Sequence, residues 1–311
     1  MQIFRGIDPH RAALHDRAVT IGNFDGVHRG HQALINETKR QAQALGLCCT
    51  VVTFEPHPKA FFNRENAPGK IHGLRDKAAA LAAMGVDEFW VLPFRQSLAA
   101  MSAEEFMQVF LHRALNTKII VIGDDFCFGA RRRGNLDMLK AASTTFGWQV
   151  HRIHTVLMDQ DRASSSSLRQ ALQRGDLDAA THMMGRPYAL CGHVIHGRKL
   201  GRDLGFPTLN IPVPKGLVLS GIFVVSVQGL TERPLAAVAS LGHRPTVETA
   251  GRLLLEVHCL DWSGDAYGRL VTVEFHQKLR DEIHYDSITE MTAQIQADAH
   301  NADLYFKHHV H

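Results

Sequence analysis

At 311 residues, the chain exceeds the usual size of one domain and suits two. With 45% hydrophobic residues each half can bury a core, and a formal charge of +3 with histidine neutral gives little support for nucleic-acid binding, so no nucleic-acid partner is expected. Five scattered cysteines, of which only Cys48 and Cys49 are adjacent, form no CxxC or Cys/His zinc spacing; this argues against a disulfide framework or a zinc site and fits a reducing compartment.

The N-terminus carries Arg5, Asp8, Arg11 and Asp16 without an apolar signal core, and no stretch is long enough to span a bilayer. A cytoplasmic protein without a membrane partner is expected. Arg17 to Ile21 reads as a first strand, and Gln32 to Leu45 as a helix ended by Gly46. Cys48 to Phe54 is a short buried-strand run. Leu74 to Met84 reads as a helix, Glu88 to Leu92 as a strand, and Ser102 with Glu105 as a capping box before the helix Phe106 to Leu115. Lys118 to Ile122 is a strand, Asn135 to Phe146 a helix, and Gln149 to Val156 a last strand. Such alternation predicts an α/β domain with a doubly wound parallel sheet.

Polar clusters fall where strands end or helices start. Gly22-Asn23-Phe24-Asp25-Gly26-Val27-His28-Arg29-Gly30-His31 joins the first strand to its helix. Glycines at 22, 26 and 30 allow sharp turning and close backbone approach, and the amides of a helix N-terminus attract anions. Imidazoles at 28 and 31 can donate to phosphate oxygens. Alone, an HxGH string reads more readily as a plain strand–turn–helix connection with incidental surface histidines. Thr53 to Pro58 stiffens the loop after the next strand with Pro56 and Pro58. Gly123 to Gly129 follows a third strand, then Arg131, Arg132 and Arg133; the first is a ligand-facing cluster or only a turn, the second a solvated loop or an anion-facing one. Ser164-Ser165-Ser166-Ser167-Leu168-Arg169 opens a helix and offers phosphate ligands or merely an N-cap.

A boundary is expected near residue 184. Beyond it, Tyr188 to Val194, Ile222 to Val227, Leu235 to Leu241, Leu253 to Leu260 and Arg269 to Phe275 are short strands suggesting an antiparallel barrel. A final helix from about Ser287 to His308 carries the stripe Ile288, Met291, Ile295, Ala299, Ala302 and Phe306, expected to pack in the core. Gly192 to Asn210 interleaves glycines with basic residues. Thr208 and Asn210 are two apart, share a side of an extended segment, and offer neutral oxygens suited to Mg²⁺. By composition the stretch is as much a basic surface loop as an ATP site, and it is no Walker A loop. Glu256 interrupts the apolar run Leu253 to Val257 as a solvent-face or a functional carboxylate.

These strings, in order, resemble the motifs of the bacterial bifunctional riboflavin kinase/FAD synthetase family. Gly22 to His31, Thr53 to Pro58, Gly123 to Gly129 and Ser164 to Arg169 resemble its nucleotidyltransferase motifs. Gly192 to Asn210, Gly242 to Thr246, Glu256 to His258 and Tyr267-Gly268 resemble its kinase motifs. Ser166 stands where threonine is usual, Leu209 where alanine is usual, and Cys127 at a point of variation. The resemblance implies an FMN adenylyltransferase domain at 1–184 and a riboflavin kinase domain at 185–311, the latter a Greek-key barrel with a terminal helix. It implies riboflavin, FMN and ATP as small-molecule partners, Mg²⁺ as cofactor, and a monomer or weak homo-oligomer. For ATP it implies His28, His31, Gly22, Asn23, Phe24, Asp25, Gly26, Asp125, Ser164, Ser165, Ser166 and Arg169 in the first half and Gly197, Lys199 and Gly201 in the second. For the flavin it implies Phe54, Pro56, Pro58, Phe128 and Arg280; for the metal Thr208 and Asn210; and Glu256 as the kinase base.

Overall fold

The computed structural model describes residues 1–7, 15–63, 65–154, 157–158, 161–162, 164–197, 205–242 and 253–309. Two compact units divide it: residues 1–68 with 77–164, and residues 69–76 with 165–311.

In the first unit, β1 (Gln2–Arg5), β2 (Arg17–Ile21), β3 (Cys48–Glu55), β4 (Glu88–Pro93), β5 (Thr117–Gly123) and β6 (Gln149–Ile153) form one sheet in the order β1-β4-β3-β2-β5-β6. Every pairing is parallel. All five residues of β2 are buried, as a parallel strand covered on both faces requires. That buries Arg17, whose Nε donates to Glu88 Oε2 at 2.6 Å and Nη2 to Glu88 Oε1 at 3.1 Å. Trp90 Nε1 donates to the same carboxylate at 2.9 Å.

The helices are α1 (Arg29–Leu45), α2 (Pro58–Phe62), α3 (Leu74–Ala83, which crosses from one unit into the other), α4 (Gln96–Ala100), α5 (Ala103–Glu105), α6 (Leu136–Ala141) and α7 (Ser143–Phe146). Gly46 caps α1 at φ 65°, as expected. The Ser102–Glu105 capping box is present and starts α5. The following Phe106–Ala114 is π-helical, with Leu115 N–H donating to Phe110 O at 2.9 Å. The single helix expected over 135–146 is two. Leu139 O accepts from Trp148 Nε1 at 3.0 Å and from Ser143 Oγ at 3.3 Å, so side chains occupy the carbonyl that would continue the ladder. A two-residue hairpin, β7 (Leu157–Met158) with β8 (Asp161–Arg162), follows.

In the second unit, α8 (Ser165–Arg174) and α9 (Leu177–Met184) precede β9 (Tyr188–His193), β10 (Leu209–Val213), β11 (Gly221–Gln228), β12 (Leu235–Leu241), β13 (Leu253–Cys259), β14 (Leu270–Arg280) and α10 (Ile288–His309). The strands pair antiparallel in the order β10-β13-β12-β11-β14-β9. A bridge between Ile195 and Asn210, with Ile195 N–H donating to Asn210 O at 2.8 Å, links the two ends into a nearly closed barrel. β10 escaped the sequence reading because Pro212 sits in it; an edge position tolerates that proline.

Residues 165–184, assigned by sequence to the first domain, lie in the second unit, where Leu168, Leu172, Leu177, Ala180 and Met184 join the core of the barrel. On α10 the expected core stripe holds at Ala302 but not at Ile288, which is 67% exposed. Among the described residues no helix is long and apolar enough to cross a membrane.

Candidate active sites

The sheet of the first unit reverses its order between β2 and β5, and ligands of open α/β sheets bind at the C-terminal ends of strands at such a switch. Gly22 and Asn23 leave β2 there, and Asp125 to Gly129 leave β5. Together with the loops after β3 and β4 they enclose a cavity of about 740 Å³. Its walls include Phe54, Pro58, Phe62, Phe94, Phe126 and Phe128. Phe94 meets the rings of Phe54, Phe61 and Phe62 edge-on at 5.4–5.8 Å. Such a slot suits a flat aromatic ligand.

The Asn23 carbonyl accepts from Thr53 Oγ1 and from Lys77 Nζ, each at 3.1 Å, and both donors are buried. This fixes the backbone that carries the Asn23 side chain. The turn itself is made by Phe24 at φ 47°, Gly26 at φ 84° and Val27 at φ 42°. Of the three glycines expected to permit it, only Gly26 uses a left-handed conformation. Gly22 is instead packed, since a Cβ there would lie 3.2 Å from the Phe24 ring, and Gly30 is already inside α1. A β-branched valine at positive φ is an outlier of the kind that collects at ligand sites. Phe24, Asp25, Gly26 and Val27 are themselves buried. His28 is the N-cap of α1, and its ring stacks on His31 with centroids 3.7 Å apart.

Of the expected residues, Gly22, Asn23, Phe54, Pro58, Asp125 and Phe128 therefore meet at one cavity. Pro56 is exposed and absent from its walls. Ser165, Ser166 and Arg169 belong to the second unit, where Arg169 Nε donates to Gly69 O at 2.6 Å; Ser164 ends the first.

On the barrel, residues paired across five adjacent strands make one row: Asn210, Glu256, Ser240, Ile222 and Arg280. Leu255 and Val257 point into the barrel and Glu256 outward, by the two-residue period of a strand. The outward face is not bare. Met291, Ile295 and Asp298 of α10 stand over it, closing a cavity of about 350 Å³ that Thr208, Ser240, Glu256, Arg280 and Tyr285 also line. Arg280 Nη2 donates to Asp298 Oδ2 at 2.6 Å and its Nε lies 3.1 Å from both oxygens. Burial works against the Arg280 charge, but this pairing outweighs it and raises the pKa above the usual arginine value. The guanidinium also lies 6.0 Å from the ring centre of Tyr285, whose buried hydroxyl has no hydrogen-bond partner among the described residues.

A second barrel cavity, about 460 Å³, is lined by Val194, Pro207, Trp262, Tyr267 and again Thr208. The His196 ring lies against that of Tyr267, tilted by 35° with centroids 3.7 Å apart. Asn210 is buried, its Nδ2 donating to Thr208 O at 3.3 Å. A Cβ on Gly197 would fall 2.4 Å from that amide, so only glycine leaves the cradle open. Lys199, Gly201 and residues 243–246 lie outside the described residues. Sequence reasoning missed Ser240, Tyr285 and Asp298. A signal existed for the last: an acidic residue three after Ile295 and four before Ala302 interrupts an apolar helix face.

The family model described as FAD synthetase matches residues 10–167, and that described as riboflavin kinase matches residues 184–306. A bifunctional riboflavin kinase/FMN adenylyltransferase of Haemophilus influenzae is 40% identical, covering 98% of this chain and 99% of that protein. The protein of the same description from Pseudomonas fluorescens is 42% identical over 96% of each chain, and that of Escherichia coli K12 is 40% identical over 98% of each. A solved structure described as a macrolide-efflux protein from Streptococcus pneumoniae shares the fold at TM-score 0.76 and 28% identity, covering 97% of this chain and 99% of that one. With both family models matched in succession and curated relatives aligned over nearly its whole length, the chain belongs to the bifunctional riboflavin kinase/FMN adenylyltransferase family.

Proposed function

We propose that the two activities of the family run in the two sets of cavities, with residue roles as follows. The observation that carries the reading is the row Asn210–Glu256–Ser240–Ile222–Arg280, which puts a carboxylate and a guanidinium on one roofed face of the barrel beside Thr208.

Riboflavin occupies the cavity under α10, with Arg280 and Tyr285 at the ring. Glu256 takes the proton of the ribityl 5′-hydroxyl as its oxygen bonds to the γ-phosphorus of ATP, and ADP leaves with the electrons of the broken P–O bond. ATP enters by the Trp262/Tyr267 cavity, so that its polyphosphate meets the flavin at Thr208. The neutral oxygens of Thr208 and Asn210, in a cradle that a Cβ at 197 would fill, fit Mg²⁺ that keeps water and phosphate ligands. When bound there, Mg²⁺ offsets charge on the transferring phosphoryl. Gly197, Lys199 and Gly201 belong to the phosphate-binding backbone on the motif resemblance.

FMN occupies the aromatic slot of the first unit. Its phosphate is already ionised, so the adenylyl transfer needs positioning more than a base. Asn23 and Asp125 orient the reactants, and His28 and His31 donate to ATP phosphates. Ser164, Ser165, Ser166 and Arg169 are assigned to the pyrophosphate side on their motif. A cytoplasmic setting and a monomeric or weakly oligomeric state accompany this reading.

The test is a time course of purified full-length protein with riboflavin, ATP and Mg²⁺, separating riboflavin, FMN and FAD. FMN should rise first and FAD follow. In His28→Ala/His31→Ala protein FMN should form and FAD should not; loss of both activities in folded protein would refute separate sites.

A further inference from the structure

We propose that Arg131 and Arg132 bind the 5′-phosphate of FMN at the cavity of the first unit, and that this contact makes the site select FMN over riboflavin. The inference rests on the assignment of that cavity to the flavin.

Both arginines line the cavity whose other walls are largely aromatic. Among the described residues the lysines and arginines on its walls are Lys59, Arg131 and Arg132, against the single carboxylate Asp125. Both arginines are exposed, and neither is held by a carboxylate among the described residues. They are not on a loose loop. Phe128 N–H donates to Gly134 O at 3.0 Å and Gly134 N–H returns to Phe128 O at 2.9 Å, closing the neck of the segment that carries them. Gly129, at φ 70°, backs so closely on Ala103 that a Cβ would lie 2.7 Å from its backbone, and Ala130 N–H donates to Met101 O at 2.8 Å. Arg131 and Arg132 are consecutive side-chain-bearing residues at φ 54° and 57°. A solvated loop has no need of such a backbone; a fixed pair of guanidinium forks beside an aromatic slot does.

The chemistry follows from the charges. A phosphate monoester is anionic at neutral pH and presents oxygens that two forks can take in pairs. Riboflavin offers the same ring and chain but an uncharged hydroxyl, so it forgoes these bonds. With its other oxygens held, the phosphate turns one oxygen toward the α-phosphorus of ATP. That P–O bond forms, the bond to the β-phosphate oxygen breaks, and pyrophosphate leaves with the electron pair.

The test uses the full chain with FMN and ATP, read as FAD formation. The competitor is 5′-deoxyriboflavin, which keeps ring and chain but cannot be phosphorylated. In Arg131→Ala/Arg132→Ala protein the KM for FMN should rise roughly tenfold or more, while the Ki of the competitor stays the same and riboflavin kinase activity is unchanged. An unchanged KM overturns the proposal. So does a Ki that rises in step with the KM, which would mean a collapsed wall rather than a lost phosphate contact. If Lys59→Ala alone reproduces the selective loss and the arginine pair does not, the phosphate sits elsewhere and the proposal fails. Phe62→Ala, at an exposed ring of the same wall, reports on the cavity itself. It should raise KM and Ki together, and no change in either would refute the flavin assignment rather than the phosphate contact alone.

Discussion

Arg280, the last residue of β14, grips Asp298 of α10 through three N–O contacts of 2.6 to 3.1 Å. The side chains are 18% and 6% exposed, and Gln294 Nε2 donates to the same carboxylate at 3.1 Å. The pair fastens the helix over the outward face of the barrel. Removing one partner leaves a largely buried charge alone, so Asp298→Ala should cost about 3 kcal/mol in denaturant unfolding of the barrel. It should raise the KM for riboflavin and leave adenylylation of supplied FMN intact.

Glu256→Gln should behave in the opposite way. The residue is on an outward position, so stability should hardly change. Without a base for the ribityl hydroxyl, kcat for FMN formation should fall about 10²–10⁴-fold, read against unaltered FAD formation from supplied FMN.

Gly197→Ala tests the cradle around Asn210. Its new methyl would displace a buried amide 2.4 Å away. The KM for Mg-ATP in the kinase reaction should rise several-fold, while the adenylyltransferase keeps its own. Titration of each activity with ATP separates the two.

The Arg17–Glu88 pair gives the first unit an acid dependence. Burial raises the Glu88 pKa, but hydrogen bonds from Arg17 and Trp90 outweigh it and hold it below the usual glutamate value. A depressed carboxylate contributes its stability fully above the unfolded value of about 4.3, and loses it as pH falls through the folded one. Denaturant midpoints should therefore drop over that window, and Glu88→Gln should be less stable at neutral pH with a flatter acid limb.

Arg131 holds its left-handed backbone at some cost in stability. Arg131→Gly should raise stability by about 1 kcal/mol. FAD formation should weaken all the same, and thermal unfolding with FAD kinetics on one preparation would show both.

The parallel sheet was legible because its strands are continuous apolar runs between helical periods, and the caps at Gly46 and Ser102 were legible because each residue's local chemistry suffices. What escaped depends on partners distant in sequence. The helix over 135–146 broke because Trp148 and Ser143 take the Leu139 carbonyl. β10 exists because β13 is there to pair with it despite Pro212. The glycines at 22 and 30 matched a motif, yet strained side-chain residues at 24 and 27 make most of the turn. Glu256 showed the same limit: alternation placed it outward, and only the position of α10 shows that outward is under a roof. Residues 165–184 read as the end of one domain because helices follow helices there, whereas their apolar faces pack with the barrel.

Thr208 lines both barrel cavities. Two guests that both reach this residue can be tied together. A single compound whose isoalloxazine arm and adenosine arm are joined near this threonine would gain the high effective concentration of tethering, and should outbind its two halves supplied separately.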